Sequence, residues 1–132
     1  MSMSTTALRV AIVWGGTVHE ERTFLPTSEP DVYVGESESN HFSLPARVLP
    51  DTFKMFERTR AGYTVRLPDD VDARVERQGR SATWVDLVEA DEARAALEAS
   101  ACWELELDVD DWGVVELGHV QLFFQVVEQR DR

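Results

Sequence analysis

The stretch from Val32 to Pro45, VYVGESESNHFSLP, decides the fold of this chain. Val32 and Val34 alternate with polar neighbours, as in a half-buried strand that ends at Gly35. Ser, Glu and Asn residues form the turn that follows. Phe42 and Leu44 then restart the alternation until Pro45 ends it. The stretch therefore predicts a strand, a glycine-hinged turn and a second strand.

The same two-residue period recurs on both sides of this unit. It predicts about ten short strands, with turn signals every eight to twelve residues, near 8–14, 18–25, 32–35, 42–45, 53–58, 63–67, 71–76, 103–109, 115–117 and 120–126. This spacing is typical of an all-β, two-sheet antiparallel β-sandwich.

One segment has a helical period instead. Leu87, Ala90 and Leu97 are three and seven residues apart, which places them on one face of a helix. Asp91 and Glu92 suit an early helical turn. We therefore predict one short helix near residues 86–100, at the edge of the sandwich.

Length and composition predict a single domain over residues 1–132, with an ordered core at about 8–127. The chain has a mass of 15.0 kDa and is 43% hydrophobic, enough for a core without disulfides or metal. Its one cysteine, Cys102, excludes an intramolecular disulfide and favours a reducing compartment. The sequence has neither a secretory signal nor a membrane-length apolar run. We expect a cytoplasmic protein without membrane insertion.

The charge balance limits the possible partners. Thirteen Lys and Arg against twenty-five Asp and Glu give a formal net charge of −12. Such a surface repels nucleic acid and anionic lipid, and no basic stripe offsets it. The charge has two interpretations: it keeps the protein dispersed, or it forms a docking face for a basic partner.

The 32–45 stretch resembles the phosphothreonine-binding turn of forkhead-associated (FHA) domains. Gly35, Ser37, Asn40, Phe42 and Leu44 match that family's pattern of glycine, serine, asparagine and a hydrophobic strand. A closer resemblance is to the FHA-like N-terminal domains of myxobacterial TonB-family, gliding-motility-type proteins. It lies in the segments LRVAIVW at 8–14, VG at 34–35, LPDTFKMF at 49–56 and GHVQLFFQVV at 118–127. The resemblance implies a β-sandwich whose loop end carries recognition.

The chain departs from the FHA pattern at the residues that would hold phosphate. Glu36 stands where the family has arginine, and Pro50 and Phe53 stand where it has serine and histidine. Arginine offers a planar fork of donors that suits phosphate, whereas a carboxylate repels it. A hydroxyl and a ring nitrogen are lost as well. We therefore expect that phosphothreonine recognition has been lost.

The candidate binding surface is the loop end formed by residues 36–41 and 46–52. Trp112 is a further candidate, because a large aromatic side chain in the predicted Asp-Asp-Trp-Gly turn is difficult to bury and can anchor an interface. Trp14 and Trp103, by contrast, fit inward strand positions. The candidate binding residues are Glu36, Ser37, Glu38, Ser39, Asn40, His41, Arg47 and Trp112.

Enzyme and metal sites have little support in the sequence. It contains no Gly-x-Ser-x-Gly elbow, P-loop or dinucleotide fingerprint, and its three histidines lack metal-ligand spacing. We predict no catalytic residue, metal or cofactor. The alternating acids Glu104, Glu106, Asp108 and Asp110 are typical of a solvated or edge-protecting face, with a Ca²⁺ site as the alternative.

Two functional hypotheses follow. The first is a non-catalytic protein–protein interaction, scaffold or signalling module of FHA-like fold, whose loop end recognises a basic or neutral protein segment. The alternative is an acidic decoy or inhibitor that covers a basic surface of a partner through the row from Glu104 to Asp110.

Overall fold

The protein is a β-sandwich of two six-stranded sheets. The computed structural model describes residues 4–25, 31–44, 49–59, 62–68, 71–96 and 102–130. Within these ranges it has twelve strands and one helix: β1 Ser4–Trp14, β2 Thr17–Phe24, β3 Asp31–Gly35, β4 Phe42–Ser43, β5 Phe53–Thr59, β6 Gly62–Pro68, β7 Asp72–Arg77, β8 Arg80–Thr83, α1 Trp84–Glu89, β9 Arg94–Ala95, β10 Cys102–Leu107, β11 Trp112–Leu117 and β12 Val120–Arg130.

The strand order separates the chain into two layers. The first sheet, sheet A, has the order β2-β1-β12-β11-β7-β8, and the second, sheet B, has the order β4-β3-β5-β6-β10-β9. The strand pairs are antiparallel except for β3 and β4, which run parallel. The predicted all-β, two-sheet sandwich is confirmed, with this one parallel pair as the difference.

Alternation along the strands puts one face of each sheet in the core. Val10 and Phe124 of sheet A and Val65 and Leu105 of sheet B are at most 2% exposed. The rings of Phe56 and Phe124 meet edge-on with centroids 5.3 Å apart and so join the two layers. Burying a side chain of this size contributes about 2–3 kcal/mol, which makes this inner layer the main source of stability.

The helix is shorter and earlier than the sequence period indicates. It spans Trp84–Glu89, because Thr83 and Asp86 form a capping box at its start and Trp84 anchors it in the core with 0% exposure. Asp91, at a φ of 58°, turns the chain away after the helix, and Arg94 and Ala95 then form β9. The predicted helix extended to residue 100, but residues 90–96 are not helical in the structure. Residues 97–100 lie outside the described ranges.

The tryptophans are only partly as predicted. Trp14 is 47% exposed and not in the core, because it is the last residue of β1 and its ring lies against His19 with centroids 6.0 Å apart. Strand period predicts the face of a residue but not how far the core extends along the strand. Trp103 is partly buried and packs against the core. Among the described residues, no helix has the length and apolar character needed to cross a membrane.

Candidate functional site

The loop between β3 and β4 is packed tightly against the segment before β5. The Leu44 main-chain N–H donates to the Gly35 carbonyl at 2.9 Å, and the Ser37 N–H donates to the Asp51 carbonyl at 3.1 Å. A Cβ atom at Gly35 would overlap the main chain of Asp51 and lie 2.9 Å from the Pro50 carbonyl oxygen. Glycine at this position therefore allows the two loop segments to touch.

Asn40 is the central brace of this loop end. Its Nδ2 donates to the carbonyl oxygens of Ser37 at 2.9 Å and Asp51 at 2.8 Å. The residue is 9% exposed, and its Oδ1 accepts no hydrogen bond within the described structure. Each of these carbonyls also accepts a main-chain N–H, Asp51 from Ser37 and Ser37 from Asn40, so the amide adds a second hydrogen bond to each. Asn40 thus shapes the site from beneath and presents little surface to a partner.

The serine hydroxyls hold the turn in shape. Ser37 Oγ and Ser39 Oγ lie 2.9 Å apart, and the Ser39 N–H points at Ser37 Oγ at 3.4 Å. Ser43 Oγ donates to the Glu36 carbonyl at 3.2 Å. These contacts are typical of a serine-stabilised turn. Ser39 is exposed and Ser37 is half-buried, so Ser39 is the more accessible of the two candidates.

His41 packs into the structure instead of projecting from the turn. Its Nδ1 accepts a hydrogen bond from the Tyr33 N–H at 3.0 Å, and its ring lies nearly parallel to that of Tyr33 with centroids 6.1 Å apart. Phe24 meets the same ring edge-on at 5.5 Å, and Arg22 donates to the His41 carbonyl at 3.0 Å. His41 therefore fastens the loop to β3 and β2.

The solvent-facing charges of this loop end are negative. Glu36, Glu38 and Asp51 are all exposed, and none of them forms an ion pair with another described residue. Two described cations lie near this loop end: Lys54 is paired with Glu57 at 3.7 Å, and the half-buried Arg22 donates to the His41 carbonyl at 3.0 Å. Arg47, predicted as a part of this surface, lies outside the described residues. The described part of the loop end thus presents carboxylates on a backbone that hydrogen bonds hold in place.

Trp112 lies elsewhere. It is the first residue of β11 and not part of a turn as predicted, is 43% exposed, and lies between Gln125 and Glu76 on the outer face of sheet A. The turn before it follows the end of β10, where Leu107 pairs with Tyr63 at the start of β6. The 36–41 loop lies beside the start of β5, at the opposite end of these strands. The structure therefore brings together Glu36 to His41 but not Trp112.

The predicted acidic row is interrupted and partly neutralised. Glu104 and Glu106 belong to β10, but the strand ends at Leu107, so Asp108 and Asp110 lie in the turn. Arg66 reaches Glu104 at 3.4 Å, and Arg77 reaches Asp108 at 3.1 Å. Among the described residues, no group of three or more His, Cys, Asp or Glu side chains could hold a metal ion.

A buried ion pair that sequence reasoning missed closes the β10–β11 turn. Asp111 is 2% exposed, and its Oδ2 accepts from the Asp108 N–H at 2.8 Å and from Arg77 Nε at 3.1 Å. Burial raises the pKa of the Asp111 carboxyl above its ordinary value of 3.8, although the hydrogen bond from Asp108 and the charge of Arg77 act in the opposite direction. Arg77 and Asp111 are 34 residues apart, and no local pattern in the sequence indicates their contact.

Comparison of this chain with protein-family models, with curated proteins and with solved structures finds no match. The physical features of the loop end and of the two sheets therefore carry the functional argument.

Proposed function

We propose that the protein is a non-catalytic interaction module of FHA-like fold that binds a basic protein segment through its 36–41 and 49–52 loop end. The observation that carries this proposal is the group of three exposed carboxylates, Glu36, Glu38 and Asp51, on a loop held by main-chain hydrogen bonds. Loops on a rigid sandwich are common recognition sites. A scaffold or signalling role follows from the same kind of binding.

Preorganisation supports this assignment. The bonds of Asn40 to Ser37 and Asp51 keep the two loop segments in one arrangement, so binding does not have to order them. A basic side chain approaching Glu36 or Glu38 meets exposed carboxylates that no described cation already neutralises. Electrostatic complementarity of this kind raises the association rate and selects the sign of the partner.

Loss of phosphothreonine binding belongs to the same proposal. A phosphothreonine carries a charge of about −1.5 to −2 at neutral pH and requires arginine forks or other donors. Glu36 offers an acceptor with the wrong charge, and its main-chain carbonyl already accepts from Ser43. The ligand that suits this surface is a lysine- or arginine-bearing segment.

A competition experiment tests this function. The wild-type chain is used to capture partners from an extract of its own host, and the experiment is repeated with Glu36→Ala/Glu38→Ala and with Glu104→Gln/Glu106→Gln. Glu89→Ala, on the exposed side of α1, is the matched control. We expect the loop variant alone to lose the partner, and synthetic basic peptides to compete with it. Loss only with the β10 variant would instead support the acidic decoy.

A further inference from the structure

The outer face of sheet A has an apolar centre. Seven outward-pointing side chains of its adjacent strands β2, β1, β12 and β11 are half-buried or exposed, although they are apolar: Ala11, Val13, Val18, Trp112, Val114, Phe123 and Val127. The solvated face of an antiparallel sheet is ordinarily polar, which makes this one a candidate interaction surface. Shallow grooves of about 140 and 210 Å³ lie on the two sides of the Phe123–Val114 pair.

Two rows of side chains run across this face, perpendicular to the strands. Each row contains one residue from each of the six strands, and its members are paired from strand to strand. In an antiparallel ladder, directly paired residues point to the same side of the sheet. The first row is Glu21, Ala11, Phe123, Val114, Arg74 and Thr83, from β2 to β8. The second row is Thr23, Arg9, Gln125, Trp112, Glu76 and Ser81.

One pair of opposite charges occupies mirror positions in these rows. In the second row, Arg9 lies one strand outside β12 and Glu76 lies one strand outside β11. In the first row, Glu21 of β2, which pairs with Arg9 of the same chain at 2.6 Å, lies one strand farther from the midpoint than Arg74 of β7. The apolar pair Phe123 and Val114 stands at the midpoint between them.

We propose that this face binds a second copy of the chain, related by a two-fold axis that runs parallel to the strands between β12 and β11. That axis places β1 of one subunit over β7 of the other. Arg9 then faces the partner's Glu76, and Phe123 faces the partner's Val114. Glu21 lies one strand spacing from the partner's Arg74, within reach of an arginine side chain. Each contact occurs twice, as an isologous interface requires.

The dimensions and the local charge suit a dimer. Six strands about 4.8 Å apart span about 24 Å; the two eleven-residue strands are about 36 Å long, whereas the six-residue strands β11 and β7 are about 20 Å long and the four-residue β8 about 14 Å. The face is therefore close in size to the about 800 Å² per partner of a standard interface. The four charged residues of the two rows, Arg9, Glu21, Arg74 and Glu76, sum to zero, and Glu116 and Asp72 in the next row add two negative charges. The face therefore carries only a small share of the net charge of −12.

Charge-swap variants test the proposal by sedimentation equilibrium of the full chain, from about 1 µM to about 1 mM at physiological ionic strength. The wild-type chain should dimerise within this range. Arg9→Glu and Glu76→Arg should each raise the dimer dissociation constant about tenfold or more, because each creates like-charge contacts twice. An equimolar mixture of the two variants should recover the dimer, because it restores opposite charges at both contacts.

Matched controls on sheet B are Arg94→Glu and Glu106→Arg, both at exposed positions, which should leave dimerisation unchanged. Far-UV circular dichroism checks the fold of each variant, and Trp112→Asp provides an independent disruption of the same face at a side chain that is 43% exposed. A wild-type chain that stays monomeric over the whole range overturns the proposal. So does a dimer that Arg9→Glu, Glu76→Arg and Trp112→Asp leave intact, or a mixture that fails to restore it.

Discussion

The side-chain amide of Asn40 donates to the main-chain carbonyl of Asp51 at 2.8 Å, across eleven residues of chain. The same amide also holds Ser37. One side chain therefore joins the β3–β4 loop to the segment that enters β5, and the shape of the candidate binding surface depends on it.

Replacing Asn40 by alanine should destabilise the protein by about 1–3 kcal/mol, because two side-chain hydrogen bonds that join the loop segments are lost at a site that is 9% exposed. Urea unfolding measures the change as a shift in midpoint. Ser39→Ala is the control on the same loop and should change the free energy of unfolding by about 0.5 kcal/mol or less. Equal stability of the two variants would show that Asn40 does not brace the loop.

Replacing Gly35 by alanine should cost about 3 kcal/mol or more, because the new Cβ would overlap the Asp51 main chain, which must then move. Gly15→Ala is the control: its φ is 60°, but no atom lies within 4 Å of a Cβ there, so it should cost about 1–2 kcal/mol. Thermal unfolding ranks the two variants. A smaller loss at Gly35 than at Gly15 would contradict the close packing of the loop segments.

Placing arginine where the FHA pattern has it, with Glu36→Arg, should not create micromolar binding of a phosphothreonine peptide. One arginine supplies a bidentate pair, but Pro50 and Phe53 still lack the hydroxyl and ring nitrogen of the family pattern. Fluorescence polarisation with matched phosphorylated and unphosphorylated peptides measures the difference. Micromolar, phosphate-dependent binding by this variant would show that Glu36 alone blocks the ligand.

The pH dependence of stability should carry a contribution from Asp111. Because burial raises its pKa in the folded protein, the folded state binds this proton more tightly than the unfolded chain does. The stabilising contribution is therefore fully present below about 3.8 and is lost as the pH rises through the folded pKa. The Asp111→Asn side chain does not titrate. The free energy of unfolding of the wild type should therefore fall relative to that of the variant as the pH rises from the unfolded to the folded pKa of Asp111.

Urea unfolding of both proteins from acid to neutral pH measures this difference and cancels the contributions of other carboxyls. A difference that rises with pH would mean that Arg77 and the Asp108 N–H lower the pKa more than burial raises it.

Removing the cation of this pair should be costly at neutral pH. Arg77→Met leaves the Asp111 carboxylate, 2% exposed, without its guanidinium and should destabilise the protein by about 3 kcal/mol. In the Arg77→Met/Asp111→Asn double variant the loss should be smaller than the sum of the single losses, since no buried charge remains. Strict additivity in this cycle would indicate that the two side chains do not interact.

Strand alternation predicted which side chains of these strands face the core. Val10, Val65, Leu105 and Phe124 are buried as a two-residue period requires, and the turn after Gly35 lies where the 32–45 stretch predicts it. The helix was misplaced because the capping box of Thr83 and the burial of Trp84 outweighed a periodicity that continued through Leu97.

The structure places only part of the predicted set of binding residues together. The contiguous run from Glu36 to His41 lies together because one turn contains it, whereas Trp112 was grouped with it only on the basis of residue type. The roles within the run were not predictable either. Whether Asn40 and His41 face a partner or hold the loop depends on Asp51 and Tyr33, and those contacts form only after the chain folds.

The sequence by itself determined the β class, most of the strands and the acidic character, because hydrophobic period and charge are properties of neighbouring residues; β8 and β9 were not predicted. The tertiary structure alone decided the contacts between distant residues: Arg77 with Asp111, Asn40 with Asp51, and the matching heights of Arg9 and Glu76 on one face. Strand register and sheet order set these contacts, and both arise from packing over the whole chain, which no short window of sequence contains.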